Sequence, residues 1–212
     1  MGVGGEMFKV PSGKVPLKYQ STKFDCVPIV FLNALNYLFD TQEIPPEVIQ
    51  RIMLYCLDTI SKNGEYGKRG TTGLACEFII QWLNQYSKRN NDFCLECEYI
   101  TGEEVHLRNN NKLVRYINGG GVGLCSVSSD RTGKMYHYLL CTKADNNYLY
   151  FFDPYYRHQH YRKPDSDYLE CIRDEWSYNL KVSRERLDLA TYEKYSFGPI
   201  EYREICLIKR SF

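Results

Sequence analysis

Gln20-Ser21-Thr22-Lys23-Phe24-Asp25-Cys26-Val27-Pro28-Ile29-Val30-Phe31-Leu32-Asn33-Ala34-Leu35 passes from a polar, extended run to an apolar one. Ile29, Val30, Leu32, Leu35, Tyr37 and Leu38 recur at about helical spacing, which predicts a helix from Asp25 or Cys26 to about Phe39. Pro28 is compatible only with the first turn of that helix, where its missing N–H costs nothing. Asp25 is the expected N-cap. Cys26 therefore falls where unpaired N–H groups and the positive dipole end stabilise a thiolate and leave an N–H for an oxyanion. A cysteine there is either a nucleophile or one more buried structural thiol. Gln20, in the extended lead-in, carries a side-chain amide that a short loop can fold back toward the same oxyanion.

Working outward, residues 1–19 read as an extended lead-in punctuated by Pro11, Gly13 and Pro16. Pro45-Pro46 opens a second helix, expected over 46–61, with Val48, Ile49, Ile52, Met53 and Leu57 on one face. A glycine-containing polar loop over 62–72 follows, and Thr71 or Thr72 caps a third helix reaching about Tyr86. The period then changes. Strands are expected over 93–100, 122–128, 136–143 and 148–152, with a short helix inside 103–118. Asp145-Asn146-Asn147 supplies a hairpin turn. Residues 157–180 are mixed and polar, 181–194 are helix-permissive, and 201–209 form a closing strand. Helices first and strands second predict an α+β fold, helices packed on an antiparallel sheet.

A nucleophilic thiol needs a proton carrier, and the chain has four histidines: His106, His137, His158 and His160. His137 lies on an expected strand, and Asp153 ends the next strand of the hairpin. Counting outward from Asn146, the two lie near opposite ends of paired strands, so Asp153 is placed to hold the imidazole and fix its tautomer.

The run Gln20 to Cys26, the helix with Asn33-Ala34-Leu35, the Gly70-Thr71 loop before another helix, His137 on a strand, and Asp153-Pro154 together resemble the bacteriocin-leader (double-glycine) peptidases and their stand-alone relatives, within the papain-like cysteine peptidase superfamily. The resemblance covers roughly residues 15–157. It implies a papain-like domain over 1–212, with 15–157 as catalytic core and 158–212 as an extension completing the sheet. It also implies catalytic Cys26, His137 and Asp153, with Gln20 in the oxyanion hole, acting on a peptide or amide through a thioester acyl-enzyme. Val27 departs from the glycine that usually follows the nucleophile, and a larger residue there is expected to narrow the approach to the sulfur. No transporter segment follows, so the export-coupled form is not expected. An acyltransferase using the same acyl-enzyme, and an inactive papain-like peptide-binding module, remain as alternatives.

Composition narrows the field. Lys and Arg number 27 against 26 Asp and Glu, a net charge of +1, which predicts no affinity for nucleic acid or an anionic membrane. Nothing approaches a membrane-spanning apolar run, and 1–10 does not read as a signal peptide. Nine cysteines, an odd number without a framework, are read as reduced thiols of a cytoplasmic protein. Cys94-Leu95-Glu96-Cys97 lacks a second ligand pair and is read as two structural thiols. His158-Gln159-His160, in a basic and aromatic stretch, is read as a solvated loop, with metal or phosphate binding as the alternative. No metal or cofactor is expected, and oligomeric state is left open.

Overall fold

The computed structural model describes residues 9–211, so residues 1–8, part of the start read above as carrying no export signal, lie outside the described residues. Helix α1 spans Cys26–Leu38, α2 Pro46–Tyr55 and α3 Gly73–Ser87. Thr72 caps α3, its hydroxyl accepting from the Ala75 N–H at 3.2 Å. Asp25 does not cap α1 with its side chain, contrary to expectation. Its carboxylate instead accepts from the N–H groups of Ser21 and Thr22, at 3.0 and 2.9 Å, and from the Thr22 hydroxyl at 2.9 Å. It thereby shapes the loop in front of the helix. Helix α2 stops short of the expected Ser61, at Tyr55: Cys56 turns extended, with ψ of 167°, and Leu57 then takes a left-handed φ of 58°. The Leu57 N–H donates to the Thr71 hydroxyl at 2.9 Å, folding the loop back on itself.

The strands are β1 Leu95–Thr101, β2 Val122–Ser128, β3 Tyr136–Ala144, β4 Tyr148–Phe152, β5 Leu169–Cys171, β6 Leu180–Ser183 and β7 Glu204–Arg210. They form one seven-stranded antiparallel sheet in the order β1-β7-β2-β3-β4-β6-β5. Short helices α4, Lys112–Asn118, and α5, Arg184–Leu187, complete the set. The stretch 181–194, expected to favour a helix, is instead strand β6 followed by the single turn of α5. Backbone pairing of β6 to both β4 and β5 overrides the local preference. Residues past 157 thus supply three strands, and β7 lies inside the sheet, between β1 and β2.

Both faces of the sheet are covered. Leu124 and Leu140 join Phe31, Leu35, Ile79 and Leu83 of α1 and α3 in one cluster. Their neighbours Cys125 and Leu139 point the other way, to Leu113 and Ile117 of α4 and to Phe197. All of β2 is buried for this reason, and even its two polar residues, Ser126 and Ser128, are inside. Each fully buried leucine of these clusters contributes about 1.5–3 kcal/mol. Among the described residues no helix is long and apolar enough to cross a membrane.

One irregularity decides where the next residues point. At the turn end of the β3–β4 hairpin Ala144 pairs with Leu149 and Lys143 with Tyr150. A bulge between Cys141 and Lys143 shifts the register, so that Leu140 pairs with Phe152. Continued without the bulge, the first register would bring Asp153 opposite Leu140; with it, Asp153 comes opposite Leu139. Leu139 and His137 are two residues apart and share a face. The bulge therefore turns Asp153 toward the histidine.

Candidate active site

Three elements meet at the end of this hairpin. Helix α1 begins at Cys26, which as its first residue has an N–H with no intrahelical acceptor. The lead-in to it is tied down by buried Asn33, whose side-chain amide brackets the Lys18 backbone with bonds of 2.8 and 2.9 Å. His137, on β3, is 9% exposed and Asp153 only 3%. His137 Nε2 lies 2.7 Å from Asp153 Oδ1. The other ring nitrogen, Nδ1, is not used by Asp153, and the Cys26 sulfur is near enough to be among the groups that raise the imidazole.

The electrostatics follow from burial and pairing. Burial by itself would pull the imidazole down, but the Asp153 charge and hydrogen bond, followed by the Cys26 sulfur, outweigh it and raise His137 to about 10. Burial pushes Asp153 up, and the His137 charge, with hydrogen bonds from His137, Tyr195 and the Tyr155 N–H, more than reverses that, so its carboxyl sits below its ordinary value. Each partner thus favours the charged form of the other.

Asp153 is held on every side. Its backbone is bracketed by the Asn179 side chain, at 2.7 and 2.9 Å. Oδ1 also accepts from the Tyr155 N–H at 2.8 Å, and Oδ2 accepts from the Tyr195 hydroxyl at 2.7 Å. Tyr195 is buried, lies with its ring near-parallel to His137 at 6.1 Å between centroids, and has a left-handed φ of 60°. A tyrosine in that region is strained, and its N–H bond of 2.7 Å to the Ser128 carbonyl helps hold it there. Arg157 Nη2 in turn donates to the Tyr195 hydroxyl at 3.0 Å. Sequence reasoning missed Tyr195; its one local signal, a Tyr-Ser-Phe-Gly run before the last strand, is not distinctive among nineteen tyrosines.

Tyr195 is a positioning residue, and Tyr195→Phe tests this. Losing a buried bond to a charged group will cost about 2 kcal/mol, measured by denaturant unfolding. The Tyr195 hydroxyl helps keep the Asp153 carboxyl low. Its removal will therefore move the acid limb of any turnover profile to higher pH, a change that loss of packing alone does not produce.

A cleft of about 960 Å³ opens at Cys26. Phe24, the start of α3 at Gly73 and Leu74, and Tyr136 and Tyr138 line it, with Glu204 among them. Glu204 accepts from the hydroxyls of Tyr99 and Tyr138. A side chain on Gly73 would come within 2.2 Å of the Glu204 carboxylate, so only glycine fits there undisturbed.

All nine cysteines are free. Cys56, Cys76, Cys97, Cys125, Cys141 and Cys206 are buried, while Cys26, Cys94 and Cys171 are partly exposed. Desolvation pushes the buried Cys56, Cys97, Cys125, Cys141 and Cys206 thiols up, away from reactivity. Of the three partly exposed thiols, Cys26 alone lines this cleft. Among the described residues no group of three or more His, Cys, Asp or Glu is placed to hold a metal ion.

Gln20 is positioned less simply than expected. Its backbone N–H donates to the Pro154 carbonyl at 2.8 Å, tying the loop to the residue after Asp153. Its side-chain Nε2 donates to the Thr22 carbonyl at 2.7 Å, which leaves one amide hydrogen unspent. No hydrogen bond joins Gln20 to Cys26 among the described residues. Val27, expected to crowd the sulfur, is 2% exposed, packs in the core between helices and sheet, and also lines the cleft beside Cys26.

No protein-family model matches the chain, and no curated protein does. Among solved structures, the chain is similar to a double glycine motif protease from an AMS/PCAT transporter, crystallised in complex with the leader peptide. The alignment covers 94% of each chain, at 15% identity and a TM-score of 0.42.

Proposed function

We propose that this chain is a cysteine peptidase or amidase in which Cys26 is the nucleophile, His137 its proton carrier and Asp153 the group that orients the imidazole. The observation that carries the reading is a buried histidine, bound through Nε2 to a buried carboxylate at 2.7 Å and raised in part by a neighbouring thiol that starts a helix and opens on a cleft.

In this reading His137 draws the proton from Cys26, and the sulfur adds to a substrate carbonyl carbon as the C=O π pair moves to oxygen. The Cys26 N–H and the remaining Gln20 amide hydrogen hold that oxyanion. Collapse expels the amine, which takes a proton from His137, and leaves a thioester on Cys26. Water, deprotonated by His137, then attacks the thioester carbonyl and releases the acid and the thiol. Asp153 stays ionised throughout and keeps the ring aligned.

The experiment is acylation by p-nitrophenyl acetate, followed by intact mass and peptide mapping. The expected result is one acetyl group on Cys26 that is lost in water. Faster loss on adding an amine, with acetylated amine as product, would identify acyl transfer in place of hydrolysis. No adduct at Cys26 under conditions that acylate free thiols would leave only a peptide-binding module.

A further inference from the structure

The basic and aromatic stretch around His158, read above as a solvated loop, contributes Tyr155, Tyr156, Arg157, His158 and Tyr161 to a second cavity, of about 320 Å³, to which Cys26 does not contribute. Its aromatic walls are fixed by packing. Tyr19 meets Phe152 at 5.2 Å and takes Tyr156 edge-on at 5.0 Å between ring centroids, and Trp176 stacks on Tyr37 of α1 at 5.6 Å. The volume of this cavity suits a ligand of about one ring with a substituent.

Its charged groups set the kind of substituent. Arg157, His158 and Arg173 line the cavity. Among the described residues neither arginine forms a salt bridge, whereas Arg51, Arg131, Arg203 and Arg210 all do. Arg157 spends one donor on the Tyr195 hydroxyl, and its Nε is buried with no acceptor. A guanidinium has five N–H donors, so this one is under-satisfied. Of the two carboxylates lining the cavity, Asp153 is already committed to His137 and Tyr195, and Glu175 is exposed.

We propose that this cavity binds a small anion carried on a flat ring, a carboxylate or a phosphate monoester. Arg157 and Arg173 hold the anion, and the ring lies among Tyr19, Tyr156 and Trp176. The proposal does not rest on the peptidase reading, since Cys26 is not in the cavity, although the cavity shares Asp153 with the candidate active site and Arg157 bonds to Tyr195.

Direct titration tests it, with benzoate, phenyl phosphate and neutral benzamide as probes. The chain has two tryptophans, and Trp176 lines the cavity while Trp82 lies on α3, so fluorescence reports occupancy and Trp176→Phe removes the signal. The unfolding temperature serves as a second readout in that variant. Saturable binding of at least one anion, and none of benzamide, is expected. Binding of phenyl phosphate alone identifies a phosphate site, and of benzoate alone a carboxylate site. Arg173→Gln, at an exposed position, will weaken binding about tenfold without altering the fold, and Arg157→Gln will do the same or more. No binding of either anion, equal binding of benzamide, or full affinity in both arginine variants would overturn the proposal.

Discussion

Replacing Cys26 by alanine will reduce hydrolysis of p-nitrophenyl acetate by on the order of 10⁴-fold or more, with the folded structure intact. Each half of the proposed reaction passes through the sulfur: it forms the new bond in the first step and is the leaving group in the second. His137, Asp153 and the Cys26 N–H cannot substitute for it, because none of them supplies a comparable nucleophile. The fold survives because Cys26 is only partly buried and opens the first turn of α1, where alanine is a good helix former. Circular dichroism and the unfolding midpoint of the variant will match the parent. Turnover within a few-fold of the parent would remove Cys26 from the chemistry.

The second large effect is on stability. Asp153→Ala leaves the His137 ring, the Tyr195 hydroxyl and the Tyr155 N–H without their acceptor in a buried site. Breaking a buried charged pair by removing one partner costs about 3–5 kcal/mol. The loss will depend on pH in a definite sense. His137 is raised from 6.5 to about 10, so its contribution is complete below pH 6.5 and disappears as pH rises through about 10. Asp153 is lowered from 3.8, so its contribution is present above pH 3.8 and disappears as pH falls through its folded value. The gap between parent and Asp153→Ala is therefore widest between pH 3.8 and 6.5 and narrows toward pH 10. Urea midpoints at pH 5.5 and pH 10 check this; a gap that grows with alkalinity would contradict it.

The parts of this site that local chemistry dictates were legible in the sequence. Pro28 and the apolar spacing locate the start of α1, and with it Cys26. Asp145 closes the β3–β4 turn by accepting from the N–H groups of Asn147 and Tyr148, at 2.8 and 2.7 Å. That turn brings the ends carrying His137 and Asp153 together. What decides that Asp153 faces His137, however, is a one-residue bulge near Thr142, and no residue type there announces it. Tyr195 lies 42 residues beyond Asp153, joined to it only by tertiary packing. Asp25 misled for a related reason: an aspartate before a helix can cap forward or brace the preceding loop, and the bonds to Ser21 and Thr22 select the second.

Site-resolved alkylation asks most directly whether Cys26 and His137 form one reactive unit. The native protein is treated with iodoacetamide at mildly acidic pH, and the labelling rates of Cys26, Cys94 and Cys171 are compared by peptide mass spectrometry. Cys26 is expected to react fastest by at least about tenfold, since of the three it alone opens on the cleft at a helix start near a histidine, and His137→Gln is expected to erase that advantage. Equal rates at the three positions, or a Cys26 rate unchanged in His137→Gln, would contradict it.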